Sequence, residues 1–226
     1  MGPALALELI SGSWVLCPHC REHYRTTQVP VAYDANADAP RFRAFLNQVF
    51  EGDSDREDKI RAVLELFGYT LMSHTRHEFF FILIGEGENG KSRLLNVLED
   101  LCGSINVAGV QPSNFDNKFQ RAALDQKLAN IVTEIKQGEI LADAELKGIT
   151  SGEATTVEHK FKDPFLMHPF SVHPCKAFIF CTTHERLLLA AASLHPILTR
   201  TFALQNLTVI PCSLQNFPCY PKIIPC

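Results

Sequence analysis

The sequence is short of several features that would point to particular classes of protein. It has no apolar run approaching the ~20 residues that a membrane-spanning helix needs, which argues against a membrane span. It has no excess of positive charge, because its formal net charge is −4 at pH 7. Any contact with nucleic acid must therefore come from a local basic feature rather than from the whole surface. The sequence also shows neither an internal repeat nor a low-complexity segment.

The opening segment MGPALALELI lacks the basic leader of a signal peptide and carries Glu8, so export is not expected. Without export, the eight cysteines are expected to be free thiols rather than disulfides. The 226 residues are enough for one large domain or two small ones. A composition of 46% hydrophobic and 20% charged residues is ordinary for a soluble globular protein.

The most informative stretch is GEGENGKS at residues 85–92, which directly follows the apolar run FFFILI. Its G-x-x-x-x-G-K-S spacing is that of a phosphate-binding loop, in which glycines let backbone N–H groups turn toward phosphate oxygens. Lys91 can reach the outer phosphates, and the Ser92 hydroxyl can hold Mg²⁺. The loop residues predicted to bind nucleotide are Gly85, Gly87, Glu88, Asn89, Gly90, Lys91 and Ser92.

The context of this loop supports the interpretation. FFFILI is short, continuous and apolar, which predicts a buried strand. The leucines that follow the loop recur at helical spacing, and they are Leu94, Leu95, Leu98 and Leu101. The order strand, glycine loop, helix is the one that phosphate binding requires, since a helix N-terminus attracts anions. The alternative is a glycine-rich turn before an ordinary helix.

Two further apolar runs predict neighbouring strands. LANIVTEI reads as a buried strand ending in an acid, and Glu134 then stands where a nucleoside triphosphatase holds Mg²⁺ or orients the attacking water. A capping or surface glutamate is the alternative. KAFIFCTT predicts a third strand, with Thr183 or Thr182 beside the γ-phosphate. Strands separated by helices predict a parallel sheet covered on both faces.

A basic segment lies between these two strands. His159, Lys160, Phe161 and Lys162 are consecutive, so that lysines can hold phosphates while a ring packs on sugars or bases. A solvated hairpin is an equally good interpretation of the composition alone. TTVEHKF alternates like a hairpin strand, and LADAELKGIT just before it is predicted to be a helix.

The first part of the chain is predicted to contain short strands and turns up to about residue 30, then a loop, then two helices. The helices are RFRAFLNQVF and DSDREDKIRAVLELFGYTL. In the second helix, a shared apolar face is predicted for Ile60, Val63, Leu64, Phe67 and Leu71. The DSD at residues 53–55 is interpreted as a capping, solvated turn rather than a metal pair, with Ser54 or Asp55 as the cap.

LCPHCREH raises the possibility of zinc, because Cys17, Cys20 and His23 have a plausible ligand spacing. A fourth ligand would have to come from far away, for instance from the cysteine-rich tail. Neither the LCPHCREH segment nor the cysteine-rich tail resembles a complete zinc ribbon or finger, so unpaired thiols are the favoured interpretation.

Taken together, these motifs resemble the superfamily 3 helicases, specifically the phage and plasmid DNA primase-helicase family that includes the poxvirus primase-helicase. GEGENGKSRLLNVLEDLCG is similar to that family's glycine loop and helix, LANIVTEI to its second motif and KAFIFCTTHER to its third. LKGITSGEATTVEHKFKDPFLMHP resembles its basic hairpin segment. Upstream, HYRTTQVPVAYDANADAPRFRAFLNQVFEGD and LELFGYTL are similar to the helical domain before its core. The resemblance runs from about residue 8 to about residue 185.

The resemblance implies an α/β P-loop NTPase of the additional-strand, AAA+-like class, preceded by a small mainly helical domain. The implied units are a helical domain at 1–76, the ATPase and helicase core at 77–203, and an atypical tail rich in proline and cysteine at 204–226. ATP and Mg²⁺ are the implied cofactors, and single-stranded or forked DNA is the implied partner of a hexameric ring. The implied location is the cytoplasm of a bacterial or phage-infected cell.

The resemblance also assigns roles to individual residues. Lys91 and Ser92 become nucleotide ligands, with Ser92 and Glu134 at the magnesium and Glu134 as the catalytic acid. The basic motif that would face DNA is matched by Lys147, Lys160 and Lys162, with His159 beside them.

Departures from the family pattern lower the activity that is expected. The family has an asparagine where this chain has Thr183, and its arginine pair beyond the third strand is reduced to Arg200. The primase domain is not in the sequence, so primer synthesis is not expected. Slow ATP hydrolysis and weak ring formation are therefore expected; if rings form, Arg200 is the catalytic arginine. A non-catalytic remnant that binds nucleotide or DNA is the alternative, and a small-molecule P-loop kinase is a third, without an acceptor-site signature.

Overall fold

The computed structural model describes residues 5–11, 13–23, 27–72, 80–84, 89–134, 142–169, 177–182 and 208–209. The strands are β1 Leu5–Ile10, β2 Ser13–Pro18, β3 Phe81–Ile84, β4 Val107–Ala108, β5 Ala129–Val132, β6 Thr155–Val157, β7 Phe165–Met167, β8 Ala177–Thr182 and β9 Thr208–Val209. The helices are α1 Pro40–Val49, α2 Arg56–Thr70, α3 Lys91–Cys102, α4 Lys118–Arg121 and α5 Asp143–Ser151. The fold is therefore α/β.

A five-stranded sheet organises the described residues, in the order β4-β5-β8-β3-β9. Strands β4, β5, β8 and β3 run parallel, and β9 pairs antiparallel with β3. Strand β8 thus lies between β3 and β5, although it follows both of them in the sequence. Because the carboxyl ends of parallel strands meet at one edge of a sheet, the segments that follow β3, β5 and β8 leave the sheet at a common edge.

The strand register aligns these ends. Ile84, the last residue of β3, is paired with Thr182, and Val132, the last residue of β5, is paired with Phe180. Glu134 follows Val132 by two residues, as Thr182 follows Phe180, so Glu134 leaves the sheet level with Ile84. One strand separates them, which corresponds to roughly 9–10 Å across the sheet.

The two faces of the sheet are covered by different groups of elements. Ala129 and Ile131 of β5 belong to a core that they share with α1, α2, α3 and β3. Val132, on the opposite face of the same strand, packs in a second core with Leu146 and Ile149 of α5 and with the β6–β7 hairpin. Apolar residues on both faces are what a strand buried between two layers requires.

The predicted helices and strands of the core are confirmed by this arrangement. FFFILI ends in β3, all four residues of β5 are buried, and TTVEHKF begins with β6, which pairs antiparallel with β7. The predicted face of α2 is also confirmed, because Val63 and Phe67 are buried and the three other predicted residues pack against the same core. The short helix α4 ends at Arg121, and a 3-10 turn over Ala122–Leu124 leads on toward β5.

The turn before α2 differs from its predicted form. Asp55 stands at the N-cap position, but its side chain makes no capping hydrogen bond. The carboxylates of Asp53 and Asp55 instead contact the ammonium of Lys59, the latter at 2.8 Å. The side chains of Lys59 and Asp53 are only 3% and 6% exposed, so this is a buried ion pair and not a solvated turn.

The first strands form a separate two-stranded antiparallel sheet, in which β1 pairs with β2 from Leu5–Pro18 to Ile10–Ser13. Cys17 lies on β2, and it is unpaired, as are Cys20 and Cys102. Burial raises the pKa of the Cys102 thiol to about 12, with the Glu99 carboxylate adding to the effect, so Cys102 behaves as an apolar core residue. Within the described part of the chain, the helices all fall short of the length and apolarity that a bilayer crossing demands.

Candidate functional site

The glycine loop enters the described structure at Asn89. Gly85, Gly87 and Glu88 lie outside the described residues. Gly90 has φ = +84°, in the left-handed region that side chains disfavour. A Cβ atom at Gly90 would lie 2.9 Å from Cγ2 of Val49 and 3.2 Å from the ring of Phe45. Position 90 therefore needs glycine for two independent reasons, and α1 packs directly against the loop.

Lys91 is the first residue of α3 and is only 7% exposed. Its Nζ donates a hydrogen bond to Oδ1 of Asn89 at 2.6 Å. A buried ammonium group is costly unless polar groups or counter-charges surround it. The first turn of α3 contains no acidic residue, and the helix N-terminus is itself electropositive. The positive charge of Lys91 thus adds to that of the helix terminus.

This combination fits an anion such as a phosphate. The loop carries a glycine where a side chain would not fit, a buried lysine follows it, and the backbone N–H groups of the first helical turn lack intrahelical acceptors. Ser92 is the next residue on α3, and it is exposed. Its hydroxyl is an oxygen ligand of the kind that Mg²⁺ takes alongside phosphate oxygens.

Glu134 lies two residues beyond β5 and is exposed. Its backbone carbonyl accepts a hydrogen bond of 3.2 Å from Nε2 of Gln111. Thr183 and Arg200 lie outside the described residues. Because Glu134 leaves the sheet level with the end of β3, Glu134 and the loop that ends at Gly90 lie at the same edge of the sheet.

Asn130 is a buried polar residue that the sequence interpretation missed. It lies within β5, and both ends of its amide pair with Val110: Oδ1 accepts from the backbone N–H at 2.7 Å, and Nδ2 donates to the carbonyl at 2.9 Å. The side chain therefore substitutes for a strand neighbour and ties the segment after β4 to β5. An asparagine inside the apolar run LANIV was the signal that could have revealed it.

The basic segment forms the tip of the β6–β7 hairpin, and His159, Lys160, Phe161 and Lys162 are all exposed. Phe161 is 92% exposed and has φ = +66°. Both features are unfavourable for a phenylalanine, which is a pattern associated with binding sites. The Nζ of Lys160 lies 5.1 Å from the centre of the Phe161 ring, and the ring of His159 stacks on Phe165 at 5.3 Å.

Helix α4 holds this hairpin through its two cationic side chains. Lys118 Nζ lies 2.5 Å from Oε2 of Glu158, just before the tip. Arg121 donates to the carbonyl oxygens of Phe115 at 2.5 Å and of Thr156 at 3.2 Å. Between these anchors, Phe119 is 44% exposed with Lys118 Nζ at 5.2 Å from its ring centre. Sequence reasoning missed this aromatic residue, although the KFQR segment carries it beside two basic residues.

Lys147, the remaining residue predicted to contact DNA, is exposed on α5. Its backbone carbonyl accepts hydrogen bonds from the hydroxyls of Thr150 and Ser151, at 2.9 and 2.7 Å. α5 packs against the hairpin in the second core. Lys147 and the hairpin tip therefore stand on two elements that are joined by the same core.

Cys17 lies on β2, Cys20 follows that strand, and His23 ends the 3-10 turn Arg21–His23. The backbone N–H of Cys20 donates to Nδ1 of His23 at 3.2 Å. A hydrogen bond with Glu22 is the main effect that raises the pKa of the Cys20 thiol, which disfavours the thiolate that zinc requires. In the described ranges, no three histidine, cysteine or acidic side chains come together as a metal site. The tail cysteines lie outside those ranges.

Known proteins match this chain in two ways. A family model described as a family of unknown function (DUF5906) matches residues 83–193, which is 111 of the 226 residues. That interval begins within β3 and includes α3, β5, the β6–β7 hairpin and β8.

Solved structures of the NrS-1 C terminal region also match. One apo structure has a TM-score of 0.50 and 16% identity, and the match covers 81% of this chain and 41% of that one. Another, an A form apo structure, has a TM-score of 0.49 and 16% identity, with 81% and 40% covered. The first match shows a shared fold. This chain spans about two fifths of the length of these two structures.

Proposed function

We propose that the chain is the ATP-binding and ATP-hydrolysing DNA helicase core of a phage- or plasmid-type replication primase-helicase. The observation that carries the proposal is the position of β8 between β3 and β5. This insertion separates the strand before the glycine loop from the strand before Glu134, which is the additional-strand arrangement implied by the resemblance to superfamily 3 helicases. The buried Lys91 after a left-handed Gly90 supports a nucleotide at this edge.

The proposed division of labour follows from the chemistry of each residue. The first turn of α3 and the Lys91 ammonium bind phosphate oxygens, and the Ser92 hydroxyl with the Glu134 carboxylate holds Mg²⁺. Magnesium, when bound, neutralises charge on the transferring phosphoryl group. Glu134 also orients the attacking water. Thr183 and Arg200 keep their proposed roles as sensor of the γ-phosphate and arginine acting on a neighbouring subunit.

DNA contact is proposed at the hairpin tip and α5, through Lys147, His159, Lys160 and Lys162. The lysines contact phosphates, and the exposed ring of Phe161 is available for stacking on a base. Phe119 extends this surface, because Lys118 and Arg121 hold α4 against the hairpin. A surface of two exposed rings among cations fits a single strand better than a duplex, since paired bases hide their faces.

The deciding experiment is steady-state ATP hydrolysis with and without single-stranded DNA, together with the mass in solution. The proposal predicts turnover that single-stranded DNA stimulates. A chain that binds ATP or DNA without any turnover would instead be the non-catalytic assembly module. Because the arginine pair is reduced to Arg200, slow hydrolysis and a mainly monomeric state are expected; a stable hexamer would make Arg200→Ala the next test.

Nucleotide binding is expected to depend on Lys91. Lys91→Ala removes a charge-assisted contact worth ~1.5–3 kcal/mol, which corresponds to a loss of affinity from about tenfold to more than a hundredfold. Titration calorimetry with ATP measures it. The matched control is Lys127→Ala, which makes the same change of charge just before β5, at the opposite edge of the sheet. Equal affinities in the wild type and Lys91→Ala would refute the site.

DNA binding is expected to lose salt dependence when the hairpin loses its lysines. Lys160→Ala with Lys162→Ala removes two phosphate contacts, each of which contributes about 0.7 to the slope of log affinity against log salt for single strands. The slope should therefore become shallower by about 1.4. Fluorescence anisotropy with a labelled single strand over a salt series gives the slope. If the double variant and Lys127→Ala share the wild-type slope, the lysines are merely solvated.

A further inference from the structure

Three consecutive residues after β4 are bonded to three successive points along β5 and its continuation. Val110 pairs through its N–H and carbonyl with the buried Asn130 inside β5. Gln111 donates to the carbonyl of Glu134, two residues beyond the strand. The carbonyl of Pro112 accepts from the N–H of Ala142, at the start of α5, at 3.4 Å. The segment 110–112 thus spans from the sheet interior to the helix that follows Glu134.

Gln111 makes the contact nearest to the proposed chemistry. Its Nε2 lies 3.2 Å from the carbonyl oxygen of Glu134, and this hydrogen bond joins two residues that are 23 positions apart in the chain. Its other amide atom, Oε1, is buried and has no hydrogen-bond partner among the described residues. A buried acceptor without a partner lowers stability. Stability alone therefore gives a poor reason for a glutamine at this place.

We propose that Gln111 is a positioning residue for Glu134. This inference rests on the proposed function, in which the Glu134 carboxylate orients the attacking water. Glu134 lies beyond the end of β5, so the ladder of the sheet no longer fixes its backbone. The Gln111 amide supplies the missing constraint, and Asn130 fixes the preceding residue, Val110, against the same strand.

The constraint matters because catalytic geometry is sensitive to small displacements. A shift of about 1 Å in a positioned group can cost on the order of a hundredfold in rate. Nucleotide binding, by contrast, depends on the loop and on α3, which the contact from Gln111 does not include. Loss of the contact should therefore lower kcat and leave ATP affinity unchanged.

Two substitutions separate positioning from general stability. Gln111→Met keeps the length of the side chain and removes both amide atoms; it is expected to lower single-turnover hydrolysis by roughly 10–100-fold with ATP affinity unchanged. Gln111→Glu cannot donate while ionised but can donate when protonated. Its rate relative to the wild type should therefore rise as the pH is lowered from about 7 toward about 5, where glutamate begins to gain a proton. Gln48→Met, at an exposed position of α1, is the matched control and should match the wild type.

Hydrogen exchange without nucleotide tests whether Gln111 holds this segment in place. Gln111→Met should speed exchange at Ala142, whose N–H donates to the carbonyl of the adjacent Pro112, and it should leave α3 unchanged. Unchanged exchange, or a normal rate in Gln111→Met beside an active wild type, would overturn the positioning role while the proposed function stands. A wild type without turnover would overturn the proposed function, and this inference with it. A general loss of protection throughout the sheet would show a merely structural residue and would also overturn it.

Discussion

Glu134→Gln is expected to bind ATP as the wild type does and to lose hydrolysis by roughly 10²–10⁴-fold, the range for removing a positioned acid–base group. The substitution keeps the shape of the side chain and its carbonyl oxygen, and it removes the negative charge that the proposed mechanism needs beside the attacking water. Glu134 has Thr133 before it rather than a second acid, so the preceding position offers no carboxylate that could take over the proposed role. A large loss of ATP hydrolysis is therefore expected, although the substitution replaces only one carboxylate oxygen by an amide NH₂ group.

Single-turnover hydrolysis with protein in excess over ATP measures this effect without depending on product release. Calorimetry on the same variant measures affinity, so a binding defect is distinguished from a catalytic one. Glu51→Gln, on an exposed turn after α1, makes the same chemical change and should behave as the wild type. Normal hydrolysis by Glu134→Gln would mean that the catalytic acid is elsewhere, whereas lost binding would assign Glu134 mainly to magnesium.

The local part of the site is what the sequence predicts best. The glycine loop, its preceding strand and the leucine pattern of α3 all lie within 24 consecutive residues, 79–102. A local sequence pattern is therefore enough to predict the order strand, loop and helix. The identity of the strand beside β3 is not local in this sense. Sequence order would place β4 or β5 next to β3, and the pairing with β8 joins segments almost a hundred residues apart. The resemblance to a known family implied an additional-strand class but named no strand order, and periodicity alone does not indicate which strand lies beside β3.

Sequence patterns do not predict polar contacts between segments that are far apart in the chain. Asn130 pairs with Val110 across 20 positions, and Gln111 pairs with Glu134 across 23. An amide can bond to any backbone group that packing brings near, so its residue type does not specify its partner. The same holds for Phe119, whose exposure follows from how α4 lies against the hairpin. Such contacts emerge only when the two elements are placed together.

The DSD segment shows how a local rule can be overridden by packing. Serine and aspartate before a helix are typical capping residues, which is the basis of the predicted solvated turn. The ammonium of Lys59, in the first turn of α2, instead contacts Asp53 and Asp55 beside the core. Its Nζ lies 5.9 Å from the centre of the Phe50 ring. A lysine so deeply buried needs counter-charges, and the two aspartates supply them at the expense of the cap.

Lys59→Met is accordingly expected to lower the free energy of unfolding by about 3–5 kcal/mol, the range for breaking a buried pair by removing one partner. The loss arises because Asp53, with its side chain only 6% exposed, would keep a negative charge without a counter-charge. Methionine fills a similar volume, so a cavity contributes little. Urea unfolding followed by circular dichroism measures the change, and the midpoint should fall without a change in slope.

The exposed pair one turn away is the control for this prediction. Arg56 and Glu57 contact each other at 3.2 Å with side chains 44% and 73% exposed, so Arg56→Met should cost at most about 1 kcal/mol. Replacing both buried partners, by Lys59→Met with Asp53→Leu, should recover much of the stability, since apolar groups can substitute for a buried ion pair. If the double variant were as unstable as Lys59→Met alone, the loss would come from packing around Phe50 and not from the stranded charge of Asp53.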